Sequence, residues 1–253
     1  MNLNLFFTPT DILLPAHADM RRWSVIACDQ FTADAGYWQA VQDTVGDAPS
    51  TLRLMLPEFY LGKCDEAAAT RKIQQTMRRY LDDGVFRTVP HSLVLVQRTL
   101  PGGAVRCGVV GALDLEAYDY TPDSVTPIRA TEGTVASRLP ARVRIRAAAA
   151  LEMPHIMVFY SDPKDTIRRE AQAAAGETLY DFDLMSGGGH VRGLRIAGAK
   201  ADALAARLCA TGVGTDGAYP MRFAIADGNH SLAAARLCLS LIHISEPTRR
   251  RGI

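Results

Sequence analysis

The sequence predicts a mixed α/β fold, in which strands joined by hairpins alternate with helices. Two pairs of apolar runs are separated by glycine-containing turns, at residues 101–103 and 186–189, and such pairs are typical of β-hairpins. Segments whose apolar side chains recur with helical spacing lie between the strand-like runs. An apolar run, a polar turn and a helix-like run also follow one another over residues 221–237. We therefore expect a mixed sheet with hairpins and flanking helices.

Helices are predicted where apolar spacing and end signals agree. The first such run ends at Gly46, and its apolar side chains recur every four residues. The clearest helix covers residues 65–84, where Asp65 is a suitable cap, Gly84 ends the run and one apolar stripe faces a core. The predicted helical segments after it are residues 166–175, 199–209 and 232–237.

Strands are predicted at short apolar runs bounded by turn residues. The chain starts with an extended segment over residues 5–14. The strand-like runs after it are residues 23–29, 92–97, 105–115, 155–160, 179–185, 190–196 and 221–226.

The composition is that of a soluble globular protein. The 253 residues are 48% hydrophobic and 22% charged, and the formal net charge of +1 argues against a whole-surface nucleic-acid footprint. No apolar run reaches the roughly 18 residues that a membrane span needs. The N-terminal stretch lacks the basic start of a signal peptide, and the five cysteines form no CxxC pair. We expect a cytoplasmic protein with reduced thiols and no membrane partner.

The last residues differ in character from the rest. Residues 239–249 (LSLIHISEPTR) resemble the translation of a sequencing-library adapter, so residues 239–253 are interpreted as a foreign tail on a truncated chain. The alternative is a genuine polar C-terminus. Residues 1–238 are then the domain proper, either as one unit or as two subdomains that divide near residues 85–100.

One polar turn, residues 226–231 (ADGNHS), lies between a predicted strand and a predicted helix and contains candidate functional groups. Asp227 supplies a carboxylate, Gly228 permits a positive φ, and Asn229 and His230 offer hydrogen-bonding groups. Ser231 stands where a helix cap is expected, and a helix start favours phosphate or carboxylate. The alternative is a capped turn with no further role.

A second stretch, residues 128–146, combines arginines with hydroxyls and one acid. Arg142, Arg144 and Arg146 alternate with aliphatic residues, which predicts a strand with three guanidiniums on one face. Such a row suits a phosphate or carboxylate, and the alternative is a solvated edge strand. Glu132 is the candidate general base or metal ligand of this stretch. The other candidate ligand groups before the row are Arg129, Thr131, Thr134 and Arg138.

Several blocks follow one another along the chain: WSVIACDQF, PSTLRLMLPEFYL, IRATEGTVASRLPARVRIR, LEMPHIMV, LYDFDLMSGGGH and ADGNHSLA. On these blocks the chain resembles the bacterial and archaeal family called domain of unknown function 1015. That family is distantly similar to the ParB/sulfiredoxin superfamily, whose helix-start turns hold nucleotide phosphates. The nearest functional relative implied is the ADP-dependent free-serine kinase, with the turn Asp-Gly-His-His-Arg and a glutamate base. Asp227, Gly228 and His230 match that turn, whereas Asn229 and Ser231 replace its first histidine and its arginine.

The resemblance implies a phosphotransferase that moves phosphate from ATP or ADP, with Mg²⁺, to a small hydroxylated metabolite such as free serine. Glu132, Asp227 and His230 would be the catalytic groups, with Asp227 as the metal ligand. Gly228, Asn229 and Ser231 would bind the nucleotide together with Arg129, Thr131, Thr134, Arg138 and Arg142. The alternative function is a nucleotide-binding regulator without turnover. Nucleic-acid binding through the arginine row is the third hypothesis, and the near-neutral charge argues against it.

Overall fold

The computed structural model describes residues 5–27, 31–153, 156–212 and 220–245. Its strands, in chain order, are β1 (Phe7–Thr8), β2 (Thr10–Pro15), β3 (Phe86–Thr99), β4 (Val105–Val110), β5 (Ala112–Leu113), β6 (Tyr118–Asp119), β7 (Ile128–Ala130), β8 (Met157–Phe159), β9 (Thr178–Asp183), β10 (His190–Ala197) and β11 (Phe223–Asp227). Its helices are α1 (Met20–Trp23), α2 (Ala35–Val45), α3 (Glu66–Asp82), α4 (Leu139–Ala147), α5 (Thr166–Ala174), α6 (Ala199–Cys209) and α7 (Asn229–Ser245). The predicted mixed α/β class, with hairpins and flanking helices, is confirmed.

The chain divides into two compact units, and each is made of segments that are distant in sequence. The first unit combines Met1–Thr8, Ala112–Ile167 and Ala205–Ile253. The second unit combines Pro9–Gly111 and Arg168–Leu204. All residues of the two predicted chemical stretches belong to the first unit.

The second unit is built on an antiparallel sheet of order β2-β3-β10-β9, in which β4 also pairs with β3. Both predicted hairpins are present. The β3–β4 turn is closed by a hydrogen bond from Gly103 N to Leu100 O at 2.8 Å, and the β9–β10 turn contains the three glycines 187–189. Because a strand follows those glycines, they form a hairpin and not a phosphate loop.

The predicted helices of this unit have the expected ends and buried faces. The Asp65 carboxylate accepts a hydrogen bond from Ala68 N at 3.0 Å and so caps α3, which buries Ile73, Met77 and Tyr80. Helix α2 is capped by Asp34 in the same way. Its buried side chains form a core cluster of Tyr37, Trp38, Val41, Val45, Leu52 and Met185.

The strand predicted over residues 23–29 is wrong. Helix α1 ends at Trp23, residues 24–27 belong to no strand, and residues 28–30 lie outside the described part of the chain. The hydroxyls of Ser50 and Thr51 donate to Trp23 O at 3.2 and 2.8 Å, and Val25 N donates to the Thr51 hydroxyl. Side chains therefore form the hydrogen bonds that a neighbouring strand would otherwise form with these backbone groups.

The first unit contains a four-stranded sheet of order β6-β7-β11-β8. Strands β6, β7 and β11 run parallel, and β8 is antiparallel to β11. A two-stranded ladder of β1 and β5 lies in the same unit, and the rings of Phe6 and Phe7 pack edge-on against Phe223. The side chains of Ile128 and Ile225, on neighbouring strands, are fully buried.

Helices α4 and α7 follow β7 and β11 and pack against each other through Leu139, Ala233 and Ala234. The strand predicted for residues 142–146 is therefore wrong, because these residues lie in α4. Pro140, at the start of α4, favours a helix start, and the helix buries Leu139 and Val143 against α7. Helix α7 continues to Ser245, inside the segment interpreted as a foreign tail, and residues 246–253 lie outside the described part.

Within the described residues, no helix is both long enough and apolar enough to cross a membrane.

Close packing in the second unit generates a stability prediction at Gly193. A Cβ at this position of β10 would overlap the ring of Tyr180, which lies opposite it on β9. Gly193→Ala should therefore lower the free energy of unfolding by about 1–3 kcal/mol, measured by urea denaturation. Gly108→Ala in β4 is the matched control, since nothing lies within 4 Å of its added Cβ. Equal stability of the two variants would contradict this packing.

An exposed histidine on β10 generates a pH prediction. His190 contacts Asp183 at 2.8 Å and Asp181 at 2.5 Å through its two ring nitrogens. Its hydrogen bonds to Asp183 and Asp181 raise the pKa of His190 above its ordinary value of 6.5. The stabilisation is therefore complete below pH 6.5 and is lost as the pH rises through the raised pKa. We expect the stability difference between the wild type and His190→Gln, from urea denaturation, to shrink between pH 6 and pH 9. A constant difference would contradict it.

Candidate functional site

The two chemical stretches meet in the first unit because the strands that precede them are parallel neighbours. Ile128 of β7 pairs with Phe223 of β11, and Ala130 pairs with Ile225. The segments that follow β7 and β11 therefore leave the sheet at the same edge. The carboxyl edge of parallel strands is where α/β sheets commonly bind ligands. The candidate site consists of these two segments, residues 131–138 and 227–231.

Asn229 joins the two segments. Its side chain is 2% exposed, and its Oδ1 accepts a hydrogen bond from Thr131 N at 3.3 Å. Its Nδ2 donates to the Thr131 hydroxyl at 3.4 Å, and that hydroxyl donates to Ile225 O. The amide of Asn229 therefore fixes the first residue after β7 to the first turn of α7.

His230 makes a second connection, further along the same loop. Its Nε2 accepts a hydrogen bond from Val135 N at 3.1 Å, and its Nδ1 lies 4.0 Å from a carboxylate oxygen of Glu132. Because Nε2 accepts, the ring proton of the neutral imidazole is on Nδ1 and faces Glu132. The His230 side chain is 13% exposed, whereas that of Glu132 is 61% exposed. A largely buried imidazole thus lies beside a solvated carboxylate.

The turn before α7 has the geometry expected of its glycine. Gly228 has a φ of 85°, and its N–H donates to the Asp227 carboxylate at 2.7 Å. Asp227 is exposed at the end of β11. The turn therefore presents one carboxylate at the same edge as Glu132.

Ser231 is not the helix cap that the sequence predicts. Helix α7 begins two residues earlier, at Asn229, so Ser231 lies inside the first turn. Its side chain is buried, and Nη1 of Arg146 donates to both the carbonyl and the hydroxyl of Ser231, at 2.8 and 3.2 Å. The serine helps to hold α4 against α7.

Residues 142–146 form part of a helix and not a strand, so the three arginines do not form the predicted row. Arg146 forms a bidentate ion pair with Glu152, with contacts of 2.6–3.0 Å, in addition to its bonds to Ser231. Arg142 donates to Arg138 O at 3.0 Å in the first turn of α4. Arg144, two residues from either, lies on another side of the helix. The three guanidiniums therefore do not share one face.

Of the two other arginines predicted as ligands, one lies in the loop of the candidate site and the other is bonded away from it. Arg138 is exposed and directly precedes α4, within the loop. Arg129 donates through Nε to Thr126 O at 2.7 Å, and Thr126 precedes β7. The Arg129 side chain is thus bonded near the opposite end of that strand from Glu132. Thr134 lies in the loop, and its buried hydroxyl oxygen has no hydrogen-bond partner among the described residues.

Sequence reasoning missed three contributors to this edge. Glu152 engages Arg146, and Val135 supplies the N–H that His230 accepts. Asp119 ends β6, the third parallel strand; burial opposes its ionisation, but hydrogen bonds from Thr121 hold the pKa of Asp119 below its ordinary value. Pro140 was the signal that could have revealed α4. The partners of His230 and Arg146 have no signal in the sequence, because they are set by tertiary packing.

Weaker candidates do not extend the site. In the described part of the chain, no group of three or more His, Cys, Asp or Glu side chains has the geometry to hold a metal ion. Three polar residues at the ends of predicted strands, Asp29 and Gln30 after the run 23–29 and His155 at the start of the run 155–160, lie outside the described residues. A pocket of about 180 Å³ in the first unit is lined by side chains from the segments 161–167 and 207–211, and neither segment of the candidate site contributes to it.

The connection between His230 and Val135 generates a prediction about the loop. His230→Phe removes the acceptor for Val135 N, so the amide should open more often. We expect hydrogen exchange of peptides covering residues 131–138 to rise about fivefold, the factor for a bond worth ~1 kcal/mol. His17→Phe, an exposed histidine of the second unit, is the control. Unchanged exchange in His230→Phe would contradict the connection.

Comparisons with known proteins bear on the family and not on the chemistry. No curated protein and no solved structure matches the chain. The similarity to the ParB/sulfiredoxin superfamily and to the free-serine kinase thus stays a prediction from the sequence. The model of one family, described as "Protein of unknown function (DUF1015)", matches residues 9–250, and the chain therefore belongs to that family.

Proposed function

We propose that the protein is a nucleotide-dependent phosphotransferase whose acceptor is a small hydroxylated metabolite, with free serine as the first candidate. The observation that carries this proposal is the meeting of Glu132 and the turn after β11. These groups are 95 residues or more apart in sequence, yet Thr131 N and Asn229 Oδ1 are 3.3 Å apart. A base, a second carboxylate and a helix start thus adjoin one edge of a parallel sheet.

Glu132 is the proposed general base. Its carboxylate is largely solvated, so a small substrate can reach it without a rearrangement of the core. The Nδ1 atom of His230 lies 4.0 Å from Oε1 of the carboxylate, and the solvated side of the carboxylate can accept a hydrogen bond from a substrate hydroxyl. His230 is accordingly proposed to orient Glu132, since its own Nε2 is occupied by Val135.

The phosphate groups are proposed to lie against the start of α7 and the start of α4. Helix starts favour anions, and phosphoryl transfer depends mainly on positioning and on neutralising charge. Arg138 and Arg142, at the start of α4, are the proposed guanidinium ligands, and the hydroxyl of Thr134 is a further donor. Arg129 is assigned no direct role, because its guanidinium is bonded to Thr126 O near the opposite end of β7. Arg146 and Ser231 are assigned none either, because their contacts hold α4 against α7.

Asp227 is the proposed ligand for Mg²⁺. Mg²⁺ is usually held by one or two carboxylates together with substrate phosphates and water, so a single exposed carboxylate fits this donor set. When bound, the ion would neutralise phosphate charge. Nothing else in the proposal depends on it.

The reaction step balances without a further reactant. The acceptor oxygen forms a bond to the terminal phosphorus of the nucleotide, and the bond from that phosphorus to its bridging oxygen breaks. The hydroxyl proton passes to Glu132, and the shortened nucleotide leaves with the bridging oxygen. ATP would give ADP, and ADP would give AMP.

Substitution of the proposed base provides the direct test. Incubation of the full chain with γ-labelled ATP or β-labelled ADP, Mg²⁺ and a panel of amino acids and polyols should yield a phosphorylated acceptor. Glu132→Gln should lower the rate by about 10²–10⁴-fold, the usual contribution of a general base. Glu116→Gln, at an exposed site of the same unit, should retain the rate. Absence of transfer, or equal rates in both variants, would remove the proposal.

A nucleotide-binding regulator without turnover is the second candidate, and two observations favour it. Ser231 occupies the position at which the similar kinase turn has an arginine, and the Arg146 guanidinium nearest to it is engaged by Glu152. This function predicts that a nucleotide at 100 times its Kd stabilises the protein by about 2.7 kcal/mol, seen as a higher Tm, while no phosphorylated acceptor forms. Product formation would exclude it.

A further inference from the structure

The exposed face of α3 in the second unit is strongly basic and has no assigned role. Between Glu66 and Asp82 the helix contains four cationic side chains and no acidic one. All four are exposed, and they lie as two pairs seven residues apart: Arg71 and Lys72, then Arg78 and Arg79. Seven residues are about two helical turns, so the pairs share one side of the helix.

The cations of this face are not neutralised within the described part of the chain. None of the four forms an ion pair there, although Asp82 and Asp83 follow one turn after Arg78 and Arg79. Arg79 only lies over the ring of Tyr80, with its guanidinium carbon 5.9 Å from the ring centroid. The four side chains give this face four positive charges, with Asp82 and Asp83 at its C-terminal end, whereas the net charge of the whole chain is +1. The four cations face solvent, and none of them forms an ion pair among the described residues.

The helix is also fixed in place, so the face is preorganised. Ile73, Met77 and Tyr80 are each at most 5% exposed on the opposite side, and the Tyr80 hydroxyl accepts a hydrogen bond from Ser50 N at 3.2 Å. The ring of Trp23 packs against Tyr80. Because this apolar side is already in the core, the helix cannot insert it into a lipid surface as an interfacial amphipathic helix does.

We infer that the basic face of α3 (Arg71, Lys72, Arg78 and Arg79) binds the phosphate backbone of a nucleic acid. The face carries only Gln75 between its cation pairs and presents no apolar anchor there, whereas protein interfaces are centred on buried aromatic or aliphatic side chains. Contacts from cations to phosphates suffice for sequence-independent nucleic-acid binding. The two cation pairs are about 10.5 Å apart along α3, so they can contact phosphates of separate nucleotides.

The inference is independent of the proposed phosphotransferase activity, since the residues lie in the other unit. It also differs from the hypothesis based on Arg142, Arg144 and Arg146, which do not form a row in the structure. The near-neutral total charge excludes a footprint over the whole surface but not one confined to a single helix.

The test is fluorescence anisotropy of the full chain with a labelled DNA duplex and a labelled single-stranded RNA in 50 mM salt. Four phosphate contacts predict a slope of log K against log salt of about −3.6 on the duplex, or about a 150-fold loss of affinity for a fourfold rise in salt. Arg71→Glu with Arg78→Glu should lower the affinity by more than about tenfold. The control, Arg106→Glu with Lys200→Glu, makes the same charge change at exposed sites of the same unit and should keep the affinity.

Thermal unfolding of both double variants, together with the neutral pair Arg71→Gln and Arg78→Gln, separates loss of binding from loss of folding. A folded α3 variant that loses affinity while the control keeps it supports the inference. Equal loss in both charge-reversed variants overturns it, as does the absence of binding to either nucleic acid. Displacement of the nucleic acid by an equal charge concentration of polyglutamate overturns it as well, because the face would then be a site for acidic polypeptides.

Discussion

The parallel pairing of β7 with β11 is the constraint on which the candidate site depends. These strands are joined by more than 90 residues, so their alignment must be maintained by burial and by the ladder and not by a short turn. Ile128 and Ile225 supply that burial, since both are fully excluded from solvent. A shift of one residue would move these side chains to the opposite face of the sheet, and this cost fixes the register. That register also sets the positions of the segments that follow the two strands.

At this edge of the sheet, the buried side chains hold the two segments together, whereas the exposed side chains are available to a substrate. Asn229 is almost completely buried and uses both ends of its amide on Thr131, so its role in the structure is to join the two segments. Arg146 performs a similar task between α4 and α7, and its ion pair with Glu152 keeps its charge balanced. Removing Asn229 or the partner of its buried amide leaves an unsatisfied group and is costly. These residues hold the geometry in which exposed groups such as Glu132 and Asp227 are presented.

The sequence was most informative where local signals determine local structure. Helix α3 followed from an apolar stripe and the cap at Asp65, and the turn at Gly228 followed from the freedom of glycine to adopt a positive φ. Alternation failed for residues 142–146, because a five-residue run is too short to distinguish a period of two from a helix whose i and i+4 positions are also arginines. The strand expected after Trp23 failed because side chains from residues 50 and 51 occupy its backbone groups.

The site itself could be predicted only in part, for a related reason. The grouping of Glu132 with Asp227 and His230 as catalytic residues implied that the two stretches meet, and their chemistry could be stated from residue types alone. The hydrogen bond from Val135 N to His230 could not be predicted, because it depends on how the loop after β7 folds over the first turn of α7. This bond has a consequence for Glu132. The loop is positioned by Thr131 and Val135, on both sides of the glutamate, while the carboxylate itself remains in water. The carboxylate therefore contributes little to holding the loop, and its replacement by an amide changes the charge of the site while leaving its support intact.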